Sequence, residues 1–204
     1  MNERLSQALP ALLPFTLLAV ICAAILIISD ALSRDRIEAN RRAEQQRLIS
    51  EVMYLSYDND LLGDHKQIRD SGFFITNSPV EVYRARKDGQ PVGLVFMPIM
   101  AGGYNGLIEL AVGVAYNGEL TGVRVHRHRE TPGLGDQIHQ DRGPWISGFD
   151  RHSLQNTPAE AWGVSSDGGK FDQLSGATIS PRGVIKAVKS TLDYYAIHKN
   201  ELYK

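Results

Sequence analysis

Hydrophobic and polar positions fall into three regimes along the chain. From Phe15 to Ile28 the run FTLLAVICAAILII is almost wholly apolar, and no charged side chain occurs between Arg4 and Asp30. A bilayer span needs roughly 20 mostly apolar residues, and residues 9–29 supply them if Pro10 and Pro14 sit in the first turns, where a missing N–H costs little. The pattern therefore predicts a short tail over 1–8 and a transmembrane helix over 9–29. A cleaved signal peptide is the alternative, because Ala31-Leu32-Ser33 resembles a small-residue cleavage site. Arg4 as the one basic side chain ahead of a long apolar run favours the anchor.

The second regime, residues 30–56, lacks Gly and Pro up to Tyr54 and is dense in Ala, Glu, Gln, Arg and Leu, all good helix formers. It predicts a helical stalk continuing from the span. Leu48, Val52 and Leu55 at i, i+4 and i+7 give its far end an apolar face that can dock on the domain beyond it.

Residues 57–204 form the third regime. VEVYRAR at 80–86 alternates apolar and polar positions, Asp88-Gly89 is a turn, and VGLVFM comes next at 92–97, which together predict a hairpin. LIELAVGVAY at 107–116 reads as a central strand, Asn117-Gly118 as a tight turn, and Leu120 to His128 as the next strand. Short helical turns are expected at 136–141 and 159–162. The last element is a helix with Ser180 as N-cap, Pro181 at the first helical position, and Val184, Val188, Leu192 and Tyr195 along one face. Four or more strands in meander order with helices at the edges make an α+β domain with an antiparallel sheet.

Composition narrows the function. Lys and Arg number 22 against 23 Asp and Glu, a net charge of −1, so the basic footprint of a nucleic-acid binder is missing. Cys22 is the only cysteine and lies inside the apolar run, which excludes a disulfide within the chain. No GxGxxG, Walker, GxSxG or HExxH pattern occurs, so nucleotide-fold and hydrolase chemistry have no motif and no catalytic residue is assigned. His126 and His128 share a strand face, yet the third and fourth ligands of a metal site are missing, and no metal is expected. Arg34, Arg36, Arg41, Arg42 and Arg47 come after the span. By the positive-inside rule they place the large domain in the cytoplasm, a rule that weakens for long domains.

Glycine-rich patches at 101–106, 130–135, 167–169 and 175–178 exceed what turns alone require. The last, Ser175-Gly176-Ala177-Thr178, lies just before a helix start, where free N–H groups and the positive end of the dipole favour a phosphate. A phosphate on or near Thr178 and a plain capping loop are both open readings of these residues.

Taken together, SGAT before a helix-starting Ser-Pro, the upstream His128-x-Glu130-Thr131-Pro132-Gly133-Leu134-Gly135, GYNG at 103–106 and Asp167-Gly168-Gly169 match the FMN-binding domain family in order and spacing. Nearly the whole chain resembles the G-subunit family of Rnf-type (Rsx-type) ion-translocating electron transport complexes. The resemblance implies FMN held covalently by a phosphodiester to Thr178, with Ser175, Gly176 and Ala177 as the recognition stretch of a flavin transferase. It also implies that Thr131, Gly133 and Leu134 line the flavin, with Tyr104 nearby. Partners would be the other subunits of the membrane complex, and the location a single-pass inner-membrane protein with a periplasmic domain, against the arginine count. Electron flow between NADH and ferredoxin would be coupled to ion movement. The C subunit of a sodium-translocating NADH:quinone reductase shares the flavin-threonine motif, and a membrane-anchored flavin-binding sensor and a cofactor-free assembly subunit are the other readings.

Overall fold

The computed structural model describes residues 2–204, with side chains from residue 14 onward. A single helix, α1, runs Asn2–Val52, so span and stalk are one uninterrupted element. Contacts divide the chain into two units, residues 1–45 and 46–204. In the first, the side chains of the apolar run are exposed: Leu26 is 70% and Ile27 69% accessible. Among the described residues this is the one helix long and apolar enough to cross a membrane.

In the second unit, five antiparallel strands succeed one another in chain order: β1 (His65–Ile68), β2 (Val80–Lys87), β3 (Gln90–Gly102), β4 (Leu107–Ala115) and β5 (Leu120–Arg127). Four of these are the strands the alternation predicts. The edge strand β1 is short and reads HKQI, with no apolar period to betray it. The strand β3 runs past the predicted Met97 to Gly102 because a bulge sits between Phe96 and Ile99, where three steps on β3 oppose two on β4 (Phe96 faces Val112, Ile99 faces Leu110). The extra residue keeps Phe96 and Ile99 on the same face. Register aligns Val82, Phe96, Val112 and Val123 as one apolar row across four strands.

That row belongs to the larger core, which the C-terminal helix α2 (Ile179–Leu202) covers with Val184, Ile185, Val188 and Leu192. The opposite face carries Tyr83, Ala85, Val95, Met97 and Ala111, and the last turns of α1 cover it with Leu48, Ile49 and Val52. Leu48 and Val52 are buried, as their spacing predicts, and Leu55 packs partly buried beside them. The helix end fits because Gly113 and Gly122, a cross-strand pair, leave a notch: a Cβ on Gly113 would lie 2.3 Å from the Val52 carbonyl oxygen. Thr121 Oγ1 donates into that same carbonyl, one of the helix-end acceptors that lack an intrahelical donor.

Two features aim α2. Gly183 in its first turns lies on the backbone of Gly102 at the end of β3, so close that a Cβ would fall 1.8 Å from the Gly102 oxygen. Arg182 pairs with Asp167 through two hydrogen bonds of 2.7 Å, tying the Asp167-Gly168 turn to the same helix start.

Candidate functional site

The SGAT stretch folds as a tight turn that leads at once into a helix. The Ala177 N–H donates to Leu174 O at 3.1 Å, and Gly176, with φ of 75°, supplies the left-handed position of that turn. Helix α2 begins at Ile179, with Thr178 in the N-cap position at φ −88°, ψ −28° and its hydroxyl making no capping bond. The sequence predicts Ser180 in that role. Ser180 instead lies buried inside the first turn, and its hydroxyl donates to Glu130 Oε2, a tertiary partner that outcompetes local capping. Pro181 remains within the first turn, where its missing N–H breaks no helix bond. The Arg182 N–H reaches Thr178 O at 3.4 Å. By their position, the N–H groups of Ile179 and Ser180 have no intrahelical acceptor.

A cavity of about 510 Å³ opens in front of this turn. One wall is Gly176, Ala177, Thr178 and Ile179; the other is the loop after β5, with Glu130, Thr131, Leu134 and Gly135; Tyr104, from the β3–β4 loop, stands at the mouth. Tyr104 is 70% exposed, Ile179 49% and Leu134 42%, so large apolar side chains face open space around one threonine. The loop is held from within, where Leu134 N–H donates to Thr131 O at 3.1 Å, and from the β3–β4 loop, where Asn105 Nδ2 donates to Thr131 Oγ1 at 3.1 Å. Of the residues named from sequence, Thr178, Gly176, Ala177, Thr131, Leu134 and Tyr104 line the cavity, while Ser175 and Gly133 sit on its two loops without lining it. Glu130, Gly135, Ile179 and Ser180 are added by the structure. A charged residue between a strand end and a Gly-rich loop is a sequence cue for the first, but nothing in the sequence pairs it with Ser180.

Behind the loop, His128 Nδ1 accepts the Glu130 N–H at 3.1 Å, which requires that nitrogen to be unprotonated. Burial, and then the neighbouring His139 ring, push the His128 imidazole below its ordinary value. Asp167 is held below the usual carboxylate range by the Arg182 hydrogen bonds. A second cavity of the same volume shares Ile179 and is lined by Phe73, Ile75, Met100 and Lys186; it has no part of the small-residue turn.

A hydroxyl at a helix start, a small-residue approach and an apolar mouth meet at this cavity, and the family model described as "FMN-binding domain" matches residues 103–193, which contain it. Along the whole chain, similarity extends to curated relatives named as the G subunit of an ion-translocating oxidoreductase complex. The relative from Pseudoalteromonas atlantica is 37% identical over 92% of this chain and 88% of its own length. That from Vibrio cholerae is 35% identical over 91% and 88%, and that from Pseudomonas aeruginosa 39% over 81% and 77%. The chain belongs to this family of G subunits.

Proposed function

We propose that this chain is an electron-transfer subunit of an ion-translocating oxidoreductase complex and carries FMN through a phosphodiester to Thr178. The observation that carries the reading is the Thr178 hydroxyl: it occupies the N-cap position yet makes no capping bond, and it lines the cavity. Its residues suit FMN in kind. Ile179 and Ser180 N–H groups at the positive end of α2 favour phosphate oxygens, and Tyr104, Leu134 and Ile179 offer apolar surface to a planar ring. Attached FMN supplies one- and two-electron chemistry.

In the attachment step a separate flavin transferase uses a flavin nucleotide whose phosphate bears a leaving group. The Thr178 Oγ1–P bond forms, the bond to the leaving group breaks, and the hydroxyl proton passes to a base of the transferase. The small side chains of Ser175, Gly176 and Ala177 leave the threonine open to that enzyme. An attached cofactor is held at an effective concentration set by its linker, so the chain itself needs to bind, orient and shield the ring and supplies no acid, base or nucleophile to turnover. The apolar helix holds the subunit in the membrane beside the partner subunits of the complex, with the domain on the periplasmic side.

Two measurements test the reading. Denatured protein made with a flavin transferase should fluoresce in a gel, and Thr178→Ala should be dark. The tryptic peptide spanning residues 171–182 should carry an FMN-sized mass on Thr178. Fluorescence that survives the substitution, or an unmodified peptide, rules out attachment at this residue.

A further inference from the structure

Glu130 is a carboxylate only 6% exposed, and burying a charge is costly unless it is paired and hydrogen-bonded. Both oxygens are taken by neutral donors from other segments: the Asn105 N–H donates to Oε1 at 3.1 Å, and the Ser180 hydroxyl donates to Oε2. The backbone packs against it on both sides. A Cβ on Gly103 would lie 2.3 Å from Oε1, and one on Gly135 2.7 Å from Oε2. One glycine in each of two glycine patches, Gly103 and Gly135, thus makes room for this one side chain. Through it the β3–β4 loop that presents Tyr104, the loop that presents Thr131 and Leu134, and the first turn of α2 meet at one point.

We propose that Glu130 is the positioning residue of the attachment site, holding Thr178 in register with the cavity through Ser180 and placing a fixed negative charge in the wall that faces the flavin. Ser180 is two residues beyond Thr178, so fixing its side chain fixes the rotation of the helix start. Hydrogen bonds to an ionised acceptor are about twice as strong as those between neutral groups, which is the reason for a carboxylate rather than an amide. The same charge, in a site partly shielded from water, opposes the addition of electrons to the ring and lowers the flavin's potential. This rests on FMN attachment at Thr178 and goes beyond it.

The test uses the full chain made with a flavin transferase, comparing wild type, Glu130→Ala and Glu130→Gln for folding by circular dichroism, covalent flavin content, attachment rate and midpoint potential. In folded Glu130→Ala attachment should slow by about tenfold or more, because small displacements at a reacting atom are costly. In Glu130→Gln the amide oxygen still accepts from Asn105 and the amide nitrogen donates to Ser180, so attachment is largely kept while the potential moves upward. A purely structural peg would leave that potential where it was. Wild-type attachment in folded Glu130→Ala, or an unchanged potential in Glu130→Gln, overturns the proposal; if the alanine variant does not fold, the glutamine potential alone decides. A folded glutamine variant that takes up too little flavin to titrate also overturns the proposal, because its amide keeps both hydrogen bonds. A wild-type chain without covalent FMN contradicts the underlying reading and this proposal with it, a result distinct from a flavinylated wild type beside equally flavinylated variants.

Discussion

Gly176 shows how much one residue settles. At φ of 75° any other L-residue is strained, and a Cβ there would come within 3.0 Å of Leu134 Cδ2. Gly176→Ala should therefore cost about 1–2 kcal/mol in a urea melt and reduce flavin uptake, since the turn that carries Thr178 must shift. Acid is a second residue-scale test. Burial, with His139 next, lowers the His128 pKa, and burial, with Lys170 next, lowers that of His152, both from an ordinary 6.5. Between the folded and unfolded values the unfolded chain binds more protons, so stability is fully present above pH 6.5 and falls as the pH drops through the imidazole range. Melting temperature should decline from pH 7.5 to pH 5, and His128→Gln or His152→Asn should flatten that decline. The small-residue turn and the ETPGLG loop were readable from the chain because their chemistry is local. Ser180 was not: Ser-Pro before an apolar stripe is what a cap looks like, and only the position of Glu130, 50 residues away, redirects its hydroxyl.

Among elements, the sheet is the scaffold and its two faces are covered by unlike means. Helix α2 lies on a continuous apolar row and was legible from its own periodicity. The end of α1 lies in a glycine notch, and its docking was legible only in part, because what receives it is the absence of side chains at Gly113 and Gly122. Strand β1 and the 3₁₀ turn at Trp145–Phe149 carry no period, being held by pairing and by burial of Ile146 and Phe149. Thr121→Val tests the notch: it keeps the shape but leaves the Val52 carbonyl without its donor, and should cost about 1–3 kcal/mol in chemical denaturation. Gly183→Ala tests the other face. With 1.8 Å to the Gly102 oxygen the backbone has to yield, at about 1–3 kcal/mol, and a lowered melting temperature should come with reduced flavin attachment.

For the molecule as a whole, the second unit begins at Gln46 and its smaller core includes Leu48, Ile49, Val52 and Met53. A fragment starting at residue 46 should be monomeric by size-exclusion chromatography and melt cooperatively. One starting at residue 57, where composition alone sets the domain's start, lacks those side chains and bares Tyr83, Val95 and Ala111; it should melt lower or aggregate. The cavity itself is assembled from distant parts of the chain: Asn105 meets Glu130 across 25 residues and Glu130 meets Ser180 across 50. The helix that completes it, α2, lies furthest along the chain of these three segments. On the proposed attachment at Thr178, a copy whose helix α2 has not docked offers the flavin no cavity and should stay colourless. Flavin colour would then double as a certificate of folding, read copy by copy.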